Sequence, residues 1–300
     1  MVCDPPARQV RYSNPDVAKR LYGARPVTWR GRGDLLQVPD AAAVKGTWLI
    51  LHLSAGVSGL LVAAVSLGMH CYAITAEADG EAAACAAACF PNAVAVNRVE
   101  DIHAVDLVPF LERRSIRGIV AGGGSPCQGN SALNVGRQGL QDERSLQPQE
   151  LFRLRAELEA LPQCGELELL FLLENVASMP DDVCQQYTLW MQADPVFSDS
   201  ASCGWCQRRR LYWLASRRRG LSPQCPPPSG WQWQQQDGAP WPELQYTGKK
   251  PIPPQVTFTQ GYKPLFDPKD VVAAGGVRAM HPFTREFYHP TDRVSRSSSG

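Results

Sequence analysis

The strongest constraint on the fold is an alternation of short apolar runs with amphipathic stretches between about residues 46 and 220. Strand and helix in alternation favour a mostly parallel sheet covered on both faces, so the expected fold class is α/β. The sequence predicts strands over 48–53, 71–76, 93–96, 116–121, 169–173 and 211–214, and helices over 60–67, 81–89 and 149–161.

The composition changes on either side of this core. Residues 1–45 carry proline, glycine and arginine loop signals without a long hydrophobic period, and they are predicted to form an N-terminal flank. Residues 46–220 are predicted to form the main domain. Residues 221–300 begin with prolines, tryptophans and glutamines, which predict an irregular or short-stranded region, and their serine-rich end predicts a frayed or truncated terminus.

The composition indicates the redox compartment of the protein but does not identify a binding partner. The net charge of +1 gives no indication that the chain binds a polyanionic partner. Ten scattered cysteines are too few for a disulfide scaffold, and the start lacks an apolar leader, so we expect free thiols in a reducing compartment. Residues 47–69 are long enough to span a membrane, but His52, Gly56 and Gly59 interrupt the apolar run, which favours a strand, a turn and a helix instead.

The segment 122–128, Gly-Gly-Gly-Ser-Pro-Cys-Gln, is the first candidate site. The apolar run 119–121 leads into the glycines, which are predicted to turn the backbone sharply at the end of a strand. Pro126 then stiffens the loop, and Cys127 follows at the carboxyl end of a strand, where open α/β sheets bind ligands. The functional interpretation is a nucleophilic thiol; the alternative is an ordinary core cysteine.

A glycine-containing turn between the first strand and the first helix is the second candidate. Such a turn lets backbone amides approach a ligand closely. The next strand ends in Glu77, where nucleotide-binding sheets hold ribose hydroxyls, and no Lys-Ser/Thr pair follows the glycines as a phosphate-binding loop requires. The two features together favour a cofactor with an adenosine half. The turn comprises Ser54, Ala55, Gly56, Val57, Ser58 and Gly59.

Two charged motifs complete the set. Glu174 ends a buried apolar run, where the loss of solvation favours a protonated carboxyl that donates a hydrogen bond. Arg208 and Arg210 alternate along a strand, so they share a face that suits phosphate or a carboxylate. The alternatives are an acid that caps a turn and a solvated basic strand.

These motifs resemble, in their order, those of the DNA (cytosine-5)-methyltransferases. The resemblance rests on Cys127 in SPCQ, Glu174 in ENV, the R-x-R pair, the glycine turn with Glu77, and the acidic segment 99–102. It covers about residues 48–214. The GGSPC context and an Asp-Pro-Val turn at 194–196 make it most similar to the de novo branch of the animal enzymes.

The resemblance implies a Rossmann-like, mostly parallel sheet of the S-adenosylmethionine-dependent methyltransferase type, with a partial target-recognition region at 221–300. It implies transfer of a methyl group from S-adenosylmethionine to carbon 5 of a cytosine flipped out of DNA, through a covalent cysteine adduct. It implies no metal, and it places the protein in the nucleus if the source is eukaryotic and otherwise in the cytoplasm. The implied catalytic residues are Cys127, Glu174, Arg208 and Arg210, and the implied cofactor-binding residues are the 54–59 turn with Glu77, Asp101, Ile102 and Pro126.

Several positions depart from the family pattern. Ser54 stands in place of an aromatic residue, Ser58 in place of a glycine and Cys206 in place of a glutamine, and the family's closing Gly-Asn motif is not visible before Gly300.

The loop 128–139 is expected to close over the flipped base. The candidates for nucleic-acid contact outside the catalytic core are Arg217, Arg218, Arg219, Lys249, Lys250 and the segment 256–261. The alternative for the basic residues is a solvated charge cluster.

Three alternative functions remain at this stage. One is a methyltransferase of the same fold acting on transfer-RNA cytosine. Another is a non-catalytic relative that binds nucleic acid or a partner methyltransferase. The third is a thiol redox or zinc protein built on Cys203 and Cys206, although no second ligand pair follows at suitable spacing.

Overall fold

The computed structural model describes residues 14–30, 46–203, 208–217, 223–235 and 240–248. In these residues a nine-stranded sheet runs in the order β3-β2-β1-β4-β5-β7-β6-β9-β8. The strands are β1 (Thr47–His52), β2 (His70–Ala76), β3 (Val94–Val96), β4 (Ile116–Gly124), β5 (Glu168–Val176), β6 (Pro195–Asp199), β7 (Arg209–Ser216), β8 (Trp231–Gln234) and β9 (Glu243–Tyr246). The helices are α1 (Pro15–Gly23), α2 (Gly59–Ser66), α3 (Gly80–Cys89), α4 (Ala104–Arg113), α5 (Pro148–Ala160) and α6 (Asp181–Met191).

The first five strands are parallel to one another. In the middle of the sheet, Leu51 of β1 pairs with Ile74 of β2 and with Ala121 of β4. Strand β7 runs antiparallel between β5 and β6, and β9 extends the sheet beyond β6. The predicted Rossmann-like α/β fold with a mostly parallel sheet is therefore confirmed.

Both faces of the sheet are buried, as the apolar runs predict. Alternate residues of β1 serve opposite faces: Leu49 and Leu51 join the larger cluster, whereas Trp48 and Ile50 join a smaller cluster with Leu61 of α2. Each such side chain contributes about 1.5–3 kcal/mol when fully buried. The central strands therefore form a rigid platform whose carboxyl ends carry the loops.

The three glycines at the end of β4 do not form the expected turn. They continue the strand, and Gly122, Gly123 and Gly124 pair with 172–174 of β5. A Cβ atom at Gly122 would overlap the carbonyl oxygen of Leu172, and one at Gly123 would overlap that of Leu53. Gly122 and Gly123 are needed because neighbouring backbone approaches the strand closely, whereas a Cβ at Gly124 would meet the Glu174 side chain. The chain leaves the sheet only after Gly124.

Several elements were not predicted from the sequence. Helix α1 lies in the expected flank, yet its Val17 and Leu21 are buried in the larger cluster. The expected turn at 194–196 is instead the start of β6, whose first residue is Pro195; a missing N–H is tolerated at the first position of a strand. Helices α4 and α6 were also missed. In the C-terminal region, β8 and β9 form a hairpin in which the rings of Trp231 and Tyr246 lie 5.3 Å apart.

The apolar segment 47–69 folds as β1, the glycine turn, α2 and a short connection to β2. Across the described ranges, no helix combines the length and the apolar character needed to cross a bilayer.

Candidate active site

Three strand ends bring the catalytic candidates together. Gly124 at the end of β4 pairs with Glu174 near the end of β5. On the other side of β5, Val176 pairs with Arg210 at the beginning of the antiparallel β7. Because β7 runs in the opposite direction, its first residues lie beside the last residues of β5.

Glu174 is held by both predicted arginines. Its Oε1 forms an ion pair with Nε of Arg210 and lies 3.6 Å from Nη2 of Arg208. The side chains of Glu174 and Arg210 are only 18% and 17% exposed, whereas that of Arg208 is 56% exposed. The intervening Arg209 pairs instead with Asp199, at 3.5 Å. The predicted common face of Arg208 and Arg210 is therefore present, but the surroundings of Glu174 are ionic rather than purely apolar.

Cys127 lies in the loop directly after β4 and is half-buried at the edge of the larger core cluster. Its carbonyl accepts hydrogen bonds from the N–H groups of Asn130, at 3.0 Å, and Ser131, at 2.8 Å. Burial raises the pKa values of the Cys71 and Cys184 thiols to about 11, which keeps both thiols protonated and inert. Cys127 lies instead in the loop whose first residue, Ser125, is hydrogen-bonded to the backbone of Glu174.

Asn175 fixes the start of the Cys127 loop, a role that sequence reasoning missed. Its Nδ2 donates to Oγ of Ser125 at 2.7 Å, while its Oδ1 accepts from the N–H of Val176 at 2.8 Å. The N–H of Ser125 also donates to the carbonyl of Glu174, at 3.3 Å. A buried amide at the end of an apolar strand was the signal available in the sequence, since Asn175 is only 1% exposed.

The loop 128–139 is anchored by a buried polar network at its base. Nδ2 of Asn130 donates to the Tyr187 hydroxyl at 3.0 Å, and Oδ1 of Asn130 accepts from the Ser145 hydroxyl at 2.8 Å. The Tyr187 hydroxyl donates to the Ser145 carbonyl at 2.8 Å, and burial raises the pKa of this phenol. At the tip of the loop, Leu133 and Val135 are 79% and 101% exposed.

The predicted cofactor turn has an unusual backbone. Ser54, Gly56 and Ser58 all have left-handed φ angles, of 49°, 51° and 67°. The carboxylate of Glu77 accepts from the N–H of Gly56 at 2.6 Å and from that of Asp79 at 2.9 Å. The Ser58 hydroxyl is buried and has no hydrogen-bond partner among the described residues.

A narrow cavity lies between this turn, the Cys127 loop and the start of α5. Its lining includes Leu53, Ser54, Val99, Ser125, Gln147 and Leu173. The Ser54 hydroxyl donates to Oε1 of Gln147 at 3.0 Å across the cavity. Sequence reasoning did not identify Gln147, because a single glutamine before a helix carries no motif.

The other predicted cofactor-binding residues differ in their exposure to solvent. Asp101 and Pro126 are half-buried, Ala55 is buried and Val57 is exposed. Ile102 is completely buried, its N–H donates to the carbonyl of Val99, and its own carbonyl accepts from Arg153. Both backbone polar groups of Ile102 therefore already have a partner in this conformation.

Some predictions fall on residues that are not described. Cys206, Arg218, Arg219, Lys249, Lys250 and the segment 256–261 lie outside the described residues. Arg217 is described, and its guanidinium donates to the carbonyls of Cys164 and Gly165 at 2.8 and 2.6 Å. Within the described ranges no group of three or more His, Cys, Asp or Glu side chains could hold a metal ion.

No protein-family model matches the chain, and no curated protein sequence matches it. Among solved structures, the chain is similar to a protein described as a DNA modification methyltransferase encoded within a prophage of E. coli, with 24% identity, a TM-score of 0.41, and coverage of 57% of this chain and 46% of that one. It is also similar to the Entamoeba histolytica methyltransferase EhMeth, with 16% identity, a TM-score of 0.43, and coverage of 59% and 54%. A third similar structure is the S. pombe Dnmt2 methyltransferase, with 16% identity, a TM-score of 0.36, and coverage of 57% and 49%. The chain spans about half the length of each of these structures.

Proposed function

We propose that this chain carries the catalytic apparatus of a cytosine-5 methyltransferase acting on DNA, with S-adenosylmethionine as the methyl donor. One observation carries the proposal: the loop of a half-buried cysteine, a carboxylate and two arginines meet at the carboxyl edge of the sheet. Ligands of open α/β sheets bind at this edge.

Cys127 is the proposed nucleophile. Carbon 5 of cytosine is a poor nucleophile, and addition of a thiolate to carbon 6 makes it enamine-like, which is covalent catalysis. The new S–C6 bond forms as ring electrons move towards nitrogen 3. After methylation, removal of the proton on carbon 5 expels the thiolate and restores the aromatic ring.

Glu174 and Arg210 are proposed to hold the target base. A protonated Glu174 would hydrogen-bond nitrogen 3 and the exocyclic amine and so take up the charge that develops on thiolate addition. Arg210 would contact the carbonyl of the base, and Arg208 would remain beside Glu174. Since Arg210 is paired with the Glu174 carboxylate in the free protein, base binding would exchange this ion pair for contacts to the pyrimidine.

The residues of the glycine turn suit the adenosyl donor. Glu77 supplies a carboxylate for ribose hydroxyls. Asp101, half-buried in the segment 99–102 where the acidic adenine-binding motif of the resembled family falls, is assigned to the adenine. The buried Ser58 hydroxyl, which has no partner among the described residues, lies beside the start of α2. When bound, S-adenosylmethionine supplies an electrophilic methyl group on a sulfonium. Pro126 and the backbone of the Cys127 loop would separate this group from solvent.

A base inside a duplex cannot reach such a site, so it must be flipped out. The two apolar side chains at the loop tip, Leu133 and Val135, suit insertion into the gap that the base leaves, because apolar wedges unstack neighbouring bases. The region 221–300 is proposed to contact the DNA around the target. A methyltransferase-like chain is the partner protein that we propose to test for co-binding.

The test uses duplex DNA containing 5-fluorocytosine, which cannot lose a proton from carbon 5, so a productive adduct is trapped. With radiolabelled S-adenosylmethionine we expect the unmodified chain to form a covalent complex and Cys127→Ser to form none. An adduct with an RNA stem-loop but not with DNA would identify the substrate as RNA. Cofactor binding by calorimetry without an adduct on either nucleic acid would indicate a non-catalytic binding protein.

A further inference from the structure

Helix α5 connects the two halves of the proposed cofactor site. At its start, Gln147 accepts a hydrogen bond from Ser54 of the glycine turn. Further along the same helix, Nη2 of Arg153 donates to the carbonyl of Ile102 at 2.8 Å. Ile102 ends the short segment that carries Asp101, so one rigid helix holds both the turn and the acidic segment.

The Arg153 guanidinium is oriented by two carboxylates on its own helix. Its Nε lies 2.7 Å from Oε2 of Glu150, and its Nη1 lies 2.6 Å from Oε1 of Glu157. The side chain is only 16% exposed. Because Nε and Nη1 face the carboxylates, Nη2 is directed to the Ile102 carbonyl, while Nη1 also lies 3.5 Å from Nδ1 of His103.

The segment 99–104 is held at two points by this network. The N–H of Ile102 closes a tight turn on the Val99 carbonyl at 3.1 Å, and the carbonyl of Ile102 is bound by Arg153. Two residues later, Oε2 of Glu157 accepts from the N–H of Ala104 at 3.0 Å. The backbone that follows Asp101 therefore depends on two charged groups of α5.

We infer that Arg153 is a positioning residue of the cofactor site, which holds the 99–102 turn so that Asp101 faces the adenine of the donor. The inference rests on the proposed function, because that function assigns Asp101 to the adenine. Arg153 is not a ligand anchor itself, since Glu150 and Glu157 balance its charge and its other contacts are the Ile102 carbonyl and, at 3.5 Å, Nδ1 of His103.

The same helix supplies a matched control. Arg155 pairs with Glu159 one turn ahead, at 3.0 Å, and its Nη1 donates to the carbonyl of Met191 at 2.6 Å. Replacing Arg155 therefore removes the same kinds of bond as replacing Arg153, but at the end of α6 rather than at the 99–102 turn.

The experiment is calorimetric titration of S-adenosylmethionine and S-adenosylhomocysteine into the full chain and its variants. Because both ligands contain adenine, we expect Arg153→Gln to weaken both by the same factor, about tenfold, the effect of losing one charged hydrogen bond. Arg155→Gln should leave both affinities within about twofold of the unmodified chain. Arg153→Lys keeps the charge but cannot contact both carboxylates and the carbonyl at once. We expect this variant to fold normally and to show the same reduced affinity for both ligands.

A double-mutant cycle distinguishes the positioning of Asp101 by Arg153 from a general destabilisation of the cofactor site. If Arg153 acts through Asp101, Asp101→Asn combined with Arg153→Lys should lose no more affinity than the more damaging single change. Equal affinities for the Arg153 and Arg155 variants, or additive losses in the cycle, would overturn the inference while leaving the proposed function intact. Failure of the unmodified chain to bind either ligand would overturn the proposed function, and the inference with it.

Discussion

Nδ2 of Asn175 donates a 2.7 Å hydrogen bond to the hydroxyl of Ser125, which lies 50 residues earlier in the chain. The bond ties the end of β5, one residue after Glu174, to the loop that carries Cys127. The acid and the thiol therefore share one mechanical support, although they belong to separate motifs.

Replacing Asn175 by Ala should loosen the Cys127 loop. Because the Ser125 hydroxyl loses a buried partner, we expect destabilisation of about 1–3 kcal/mol, measured by urea unfolding, together with a lower rate of adduct formation on fluorocytosine DNA. Asn92→Ala is the control, since Nδ2 of Asn92 donates to the Pro26 carbonyl at 3.1 Å, outside the candidate site. Equal effects of the two changes would contradict the special role of Asn175.

Substitutions at Gly123 and Gly124 of β4 should affect stability and adduct formation separately. A Cβ at Gly123 would overlap the Leu53 carbonyl, whereas one at Gly124 would overlap the carboxylate end of Glu174. We therefore expect Gly123→Ala to cost about 2–4 kcal/mol of unfolding free energy. Gly124→Ala should leave most of the stability but displace Glu174 and suppress adduct formation.

Thermal unfolding and adduct trapping on the same samples separate these two effects. Gly23→Ala, at the end of α1, serves as the control, because an added Cβ there meets no atom of another segment within 4 Å. A Gly124→Ala variant with unchanged adduct formation would show that the position of the carboxylate is not critical.

Replacing Glu174 by Gln should slow adduct formation about 10²–10⁴-fold, the range for loss of a group that transfers or shares a proton. Glutamine fills the same space next to Arg210 but cannot donate from an acidic O–H. Calorimetry should give an unchanged affinity for S-adenosylmethionine. Loss of cofactor binding in this variant would mean that Glu174 has been assigned to the wrong ligand.

His52 predicts a dependence of stability on pH. The ring is buried at the end of β1, and burial lowers its pKa from 6.5 to about 4. Because the unfolded chain binds the proton more readily, the contribution of His52 to stability is complete above pH 6.5 and is lost as the pH falls towards 4. The expected loss over this range is about 3 kcal/mol.

Unfolding by urea at a series of pH values between 4 and 7 measures this effect. A His52→Leu variant should lose much less stability over the range than the unmodified chain does. His70→Gln, at the exposed start of β2, is the control and should retain the dependence. Parallel pH profiles for the unmodified chain and His52→Leu would contradict the prediction.

Local patterns in the sequence determined the α/β fold class and the central strands. Their apolar runs are continuous because both faces of a parallel sheet are buried, so β1, β2, β4 and β5 could be located to within a few residues. Helices α1 and α6 were missed although their buried residues lie at helical spacing, such as Val17 and Leu21 in α1 and Tyr187 and Met191 in α6. Such a pattern is difficult to separate from a loop when the helix has only two or three turns. The start of β6 was predicted as a turn because Asp194 and Pro195 are typical of turns, and the pairing of Pro195 with Trp213 outweighs that preference.

The sequence by itself also determined the residue types of the candidate site and their order along the chain. Only the tertiary structure decided which of them meet: the antiparallel direction of β7 places Arg210 beside Glu174, and the same strand ends place Asn175 beside Ser125. The tertiary structure also shows that Gly122 and Gly123 allow neighbouring backbone to approach β4 closely, whereas the sequence predicted a turn there. Local sequence specifies backbone preference and burial, whereas contacts between distant segments depend on strand direction and register, which arise only when the whole sheet assembles.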